Sequence, residues 1–198
     1  CGKKINQVEL KILKDTLLNQ GMAYTIHGEL SVNLLDQENF DDHKEILKRD
    51  IEVSGEIKAT HLVTHFGQTT NKLYENKELY ASHLMRQQEC YAEMGEYARS
   101  HNVILAIENL FPFTVDHYAP LPREIAKQIN EINHSNIKCC LDISHAYINC
   151  NYRNAHFINE LKMMGPLSEH IHMHDSFGII ERIWTYIEAE NTSYGQGD

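Results

Sequence analysis

The chain has 198 residues, 42% of them hydrophobic, enough to bury a sizeable core, and its length reads as a single domain over 1–198. Its 28 acidic residues outweigh 18 Lys and Arg for a formal charge of -10, so no long-range field draws it to a polyanion and nucleic acid is a disfavoured partner. The five cysteines, Cys1, Cys90, Cys139, Cys140 and Cys150, are odd in number and lack C-x-x-C spacing, against both a disulfide framework and a zinc ribbon. With no apolar run near the roughly 18 residues of a membrane span and no signal-peptide pattern, the expectation is a soluble, cytoplasmic protein with no membrane partner.

In chain order, residues 8–18 carry apolar side chains at helical spacing and Gly21 follows as a stop. Met22 to Ile26 reads as a short strand ending at His27-Gly28. A helix is expected from Asp41 to Ile57, with Asp41 or Asp42 as N-cap. Ala59 to His65 is rich in β-branched residues and ends at Phe66-Gly67, a second strand. Glu78 to His101 patterns as a long helix. Val103 to Ile107 is a continuous apolar run, the mark of a strand buried on both faces, and it ends in Glu108-Asn109. A helix over Pro122 to Ile132 has proline at its start. Ile137 to Leu141 is another buried strand, with Asp142 at its end and His145 in the following loop. His156 to Met164 reads as the next helix, and the stretch from His170 as the next strand.

Strands alternating with helices imply a mainly parallel sheet, closed as an open doubly wound fold or as a (β/α)8 TIM barrel. No glycine-rich phosphate loop follows any strand. Each strand instead finishes on a residue of a type able to ligate a metal or act as an acid/base: His27, His65, Glu108, Asp142 and His172. Functional groups on the C-terminal ends of several strands are what a barrel produces.

Thirteen histidines are many for this length. In His170 to Asp175, alternation sends His170, His172 and His174 to one face and Ile171 and Met173 to the other, where packing against helices would point the histidines inward. Each such residue has an ordinary reading: a water-facing Glu108, an Asp142 that only caps a helix, a core histidine. Together, carboxylates and imidazoles on three strands suit zinc, manganese, iron or cobalt. Cys139 and Cys140 read as small core hydrophobes.

Six stretches in register, Ile26-His27-Gly28, Thr64-His65-Phe66-Gly67, Ala106-Ile107-Glu108-Asn109, Cys140-Leu141-Asp142-Ile143-Ser144-His145-Ala146, His170-Ile171-His172-Met173-His174-Asp175 and Gly195-Gln196-Gly197-Asp198, resemble the xylose-isomerase-like TIM-barrel superfamily. That group holds sugar and sugar-phosphate isomerases and epimerases and the endonuclease IV repair enzymes. The resemblance implies that Glu108, Asp142 and His172 ligate a divalent metal (zinc, manganese, cobalt, iron or magnesium). It gives catalytic roles to Glu108, as an acid/base besides its ligand role, and to His145, which would orient or protonate a substrate oxygen or meet a further metal. It gives His27, His65, His174 and Asp175 to substrate or a second metal. The family's fourth ligand, a glutamate on the last strand, has no counterpart here, and neither the first nor the last barrel strand is evident. A partial barrel, in a sequence that reads as a piece of a larger domain, is therefore expected.

The implied reaction is isomerisation or epimerisation of a small-molecule sugar or sugar phosphate, by proton transfer through a metal-stabilised enediolate; a homo-oligomer is left open. His27 and His65 also match the first zinc site of an endonuclease IV-like phosphodiesterase. The stretch Ala189 to Tyr194, however, lacks the aspartate and histidine those enzymes carry there. A diverged, non-catalytic sugar-binding barrel is the third reading. Phe177 to Tyr194, with Trp184 and Tyr186, reads as a lid or a surface helix, and Arg153 and Arg182 are the nearest candidates for a phosphate contact.

Overall fold

The structure, a computed structural model, describes residues 5–180. Seven strands are present among them: β1 (Thr25–His27), β2 (His61–His65), β3 (Thr69–Thr70), β4 (Ile104–Glu108), β5 (His117–Tyr118), β6 (Ile137–Asp142) and β7 (Ser168–His172). The helices are α1 (Gln7–Leu17), α2 (Phe40–Glu56), α3 (Asn71–Glu75), α4 (Lys77–Ser100), α5 (Pro122–Ile132), α6 (Ile143–Arg153) and α7 (Phe157–Met164), with a short 3-10 turn at Gly165–Leu167.

The strands β1, β2, β4, β6 and β7 form one parallel sheet in that order, each reached from the last by a helical crossover. One face carries Leu62, Leu105, Ile107, Cys139 and Leu141 into the main core with Leu47 and Ile51 of α2, Tyr91 and Met94 of α4, and Ile125 and Ile129 of α5. Val63, Ala106 and Cys140 are buried on the other face, and burial on both sides explains the near-continuous apolar runs of β4 and β6. No described helix is long and apolar enough to cross a membrane.

Register fixes the opposite face. His65 pairs with Glu108, Glu108 with Cys140, Cys140 with His170, and Asp142 with His172. Since alternate residues share a face, His27, His65, Glu108, Asp142 and His172 all project to the same side, near the C-terminal edge of the sheet. A bulge sharpens this: Cys139 pairs with Ser168 but Cys140 with His170, so Glu169 is the extra residue on β7.

The structure differs from the sequence expectations in four places. The stretch after Asp142 is the helix α6 rather than a loop, and Asp142 is its N-cap. α2 begins at Phe40 behind Asn39, so neither Asp41 nor Asp42 caps it. Ile171 and Met173 are not buried against helices among the described residues; they are 57% and 80% exposed. The two-stranded antiparallel pair of β3 and β5 and the helix α3 are additions. Gly195 to Asp198, Arg182, Cys1 and all of the expected lid beyond residue 180 lie outside the described residues.

The loop from Asn109 to Leu121 is anchored from below by Asn149 on α6, which is buried and donates from Nδ2 to the carbonyls of Leu110, Ala119 and Pro120 at 3.3, 3.2 and 3.1 Å. Because Leu105 is wholly buried at the centre of the main core, Leu105→Ala is expected to lower unfolding free energy by about 2–5 kcal/mol in urea titrations. A loss below about 1 kcal/mol would contradict this packing.

Candidate metal centre

Glu108 ends β4 with only 1% of its surface exposed. Its carboxylate is met from several elements. Nδ1 of His172 lies 3.0 Å from Oε1, and Nε2 of His27 lies 3.1 Å from Oε2. Nδ1 of His145 is 3.4 Å from Oε1, and Nε2 of His65 is 3.7 Å from Oε2. Burial alone would raise the pKa of this carboxyl, but the bonds from His145, His172 and His27 outweigh it and hold the group well below the usual carboxylate range.

The histidines divide by their second nitrogen. His27 gives Nδ1 to the carbonyl of Gly28 at 3.0 Å as well as Nε2 to Glu108, so both nitrogens donate and the ring favours its charged form. Its pKa is raised, chiefly by the bond to Glu108. His65 is the opposite case, for burial lowers its pKa to about 4 and Nδ1 donates to the carbonyl of Leu30 at 3.2 Å. Its Nε2 is therefore a lone pair facing Oε2 of Glu108.

Asp142 is equally buried. Its Oδ1 accepts from the backbone N–H of His145 at 2.7 Å, closing the first turn of α6, while Oδ2 takes Nε2 of His174 at 3.1 Å. Capping and a site role are thus compatible, one oxygen serving each. His145, placed in that first turn, donates Nδ1 to the carbonyl of Asn109 at 3.0 Å, which leaves Nε2 as its acceptor. Phe111 packs edge-on to the His145 ring at 4.7 Å, with Phe113 a further 5.4 Å away.

Asn109 was not singled out by sequence reasoning. Its Oδ1 accepts from the backbone N–H of Asp142 and its Nδ2 donates to the Asp142 carbonyl, both at 2.9 Å, so one side chain locks the ends of β4 and β6 together. The available signal was an amide directly after a strand-end glutamate.

Three donor sets that include a carboxylate result among the described residues, each with its ligand atoms within 4.8 Å of one another: Glu108, Asp142 and His172; His27, His65 and Glu108; and Asp142, His145 and His174. Seven of the eight expected site residues therefore come together. Asp175 is exposed and joins none of these sets. The residues fit a divalent cation: two buried carboxylates with imidazoles form a mixed oxygen and nitrogen set. The lone pair of His65 directed at a carboxylate oxygen is an arrangement that a cation between them would relieve.

A family model described as xylose isomerase-like TIM barrel matches residues 4–197. A comparison with curated proteins gives no match. Among solved structures, a D-tagatose 3-epimerase-like protein superposes with a TM-score of 0.70 at 19% identity, over 97% of this chain and 74% of that one. D-psicose 3-epimerase in the presence of D-fructose gives 0.63 at 18% identity, over 87% and 59%. A xylose isomerase-like TIM barrel protein from Mycobacterium smegmatis in complex with magnesium gives 0.66 at 18%, over 87% and 58%. At such identities the likeness is one of fold.

The protonation pattern makes a prediction. Without a cation, the His27–Glu108 pair stabilises the fold fully below pH 6.5 and is lost as pH rises through the raised His27 pKa. A cation at Glu108 competes with that imidazolium, so its affinity should rise with pH over the same window, with protons released on binding. Calorimetry of Mn2+ binding in buffers of different ionisation enthalpy is expected to show this release, reduced in His27→Asn. Binding with no proton release just above pH 6.5 would contradict it.

Proposed function

The chain belongs to the xylose isomerase-like TIM barrel family, and from that premise we propose that it is a divalent-metal-dependent isomerase or epimerase of a sugar or sugar phosphate. The observation that carries the reading is the convergence of Glu108, Asp142 and His172 from the ends of three neighbouring parallel strands. These three would hold the ion. When bound, a divalent cation supplies Lewis acidity that polarises a carbonyl and acidifies the neighbouring C–H.

The chain's own residues do the rest. Glu108, ionised and gripped by imidazoles, contributes the charge that retains the cation. His145 has its Nδ1 proton fixed on the Asn109 carbonyl, so Nε2 is the atom placed to exchange a proton with a substrate oxygen. Asn109 keeps His145 and Asp142 in register with Glu108. Phe111 and Phe113 offer an apolar wall suited to the C–H face of a sugar, and shield His145 on that side. His27, His65 and His174 flank the ligands and serve substrate hydroxyls or a second ion; Asp175 stands further out, within reach of bulk solvent.

One observation favours a second reading, zinc-dependent phosphodiester cleavage: the three donor sets are contiguous, sharing Glu108 and Asp142, as a multinuclear centre requires. The formal charge of -10 weighs against a polyanionic substrate and for a small one.

Elemental analysis and activity separate the readings. Glu108→Gln and His172→Ala are each expected to weaken metal binding by at least about 10–100-fold, more than the loss of an outer partner costs. On a panel of ketoses and ketose phosphates in D2O, the metal-loaded protein is expected to exchange the hydrogen beside the carbonyl for deuterium. Unchanged metal content in both variants would sink the site assignment, and activity confined to an abasic-site duplex would overturn the isomerase reading.

A further inference from the structure

Beneath the carboxylates the same face of the sheet carries a donor set of different character. Cys140 lies two residues before Asp142 on β6, paired with Glu108 on one side and with His170 on the other. Its Sγ and one ring nitrogen each from His170 and His172 lie within 4.8 Å of one another. The bulge builds this set. Had the pairing of Cys139 with Ser168 continued unbroken, Cys140 would stand opposite Glu169; the extra residue brings His170 to that place and His172 level with Asp142.

The two sets differ in chemistry. Glu108 and Asp142 offer hard oxygens, whereas Cys140 with two imidazoles is a soft sulfur and nitrogen set that selects zinc, cadmium or copper(I) over magnesium, manganese or calcium. His172 is common to both. A neutral imidazole has one lone-pair nitrogen, so His172 serves one ion at a time.

We propose that Cys140, His170 and His172 form a second cation site selective for thiophilic ions, and that filling it withdraws His172 from Glu108 and Asp142. When the sulfur–metal bond forms, the thiol proton leaves to solvent and nothing is oxidised or reduced. A soft ion thereby acts as an inhibitor seated beside, and not within, the carboxylate site. The soft site stands on its own geometry, while the competition for His172 rests on the function proposed above.

The test uses Cd2+ as probe on the whole chain. One equivalent is expected to produce thiolate-to-cadmium charge-transfer absorption in the ultraviolet. The band should persist in Glu108→Gln, disappear in Cys140→Ser, and need at least about tenfold more Cd2+ in His170→Ala, which alters a half-buried residue and guards against a serine variant that fails to fold. Cd2+ should also weaken Mn2+ binding by about tenfold or more in the parent chain and not in Cys140→Ser. No band in the parent, or an equal band in Cys140→Ser, overturns the site. A band that forms while Mn2+ affinity is unmoved overturns the sharing of His172. A band in a chain that binds no Mn2+ at all supports the soft site and counts against the isomerase reading.

Discussion

Taking a carboxylate out of water costs several kcal/mol unless opposite charge and hydrogen bonds replace the lost hydration. Glu108 sits under that constraint at the end of a strand buried on both faces, and its surroundings follow from it. Imidazoles reach it from β1, β2, α6 and β7, so four crossovers must return to the sheet in the right order and register for one side chain to be tolerated. Asn109 and the cap of α6 add the fine adjustment, bonding the next residue to Asp142 and turning His145 inward.

The same constraint links fold to chemistry. Two buried carboxylates demand compensation, and protons on histidines or a divalent cation can each provide it. Protons now bridge His27 and His172 to Glu108, and a cation would take their place. A centre of this kind would take up a metal without rebuilding its scaffold, because the charges are held by strand ends whose opposite face is the main core. Family membership and the epimerase-like neighbours agree with that scaffold; the histidine placements are this chain's own geometry.

Much of this was legible in the sequence because burial leaves marks. The continuous apolar runs of β4 and β6 announced strands covered on both sides, and a polar residue closing each run marked the edge where the candidate ligands gather, as at Glu108 and Asp142. Other features left no mark. The two-residue strands β3 and β5 are too short to show a period, and α6 was hidden because its first turn, Ile143-Ser144-His145, carries weak helix formers held by a cap rather than by propensity. The bulge at Cys139–Cys140 is a matter of register between distant strands. Alternation within His170 to His174 was right about which side chains share a face and wrong about what covers Ile171 and Met173.

The central claim is that Glu108, Asp142 and His172 together hold a divalent ion. Pulsed electron paramagnetic resonance of the Mn2+-loaded chain tests it most directly, since it detects imidazole nitrogen bound to the metal. The account predicts nitrogen modulation that is lost in His172→Ala and retained in His170→Ala. Bound Mn2+ with no imidazole coupling, or coupling unaffected by the loss of His172, would contradict it.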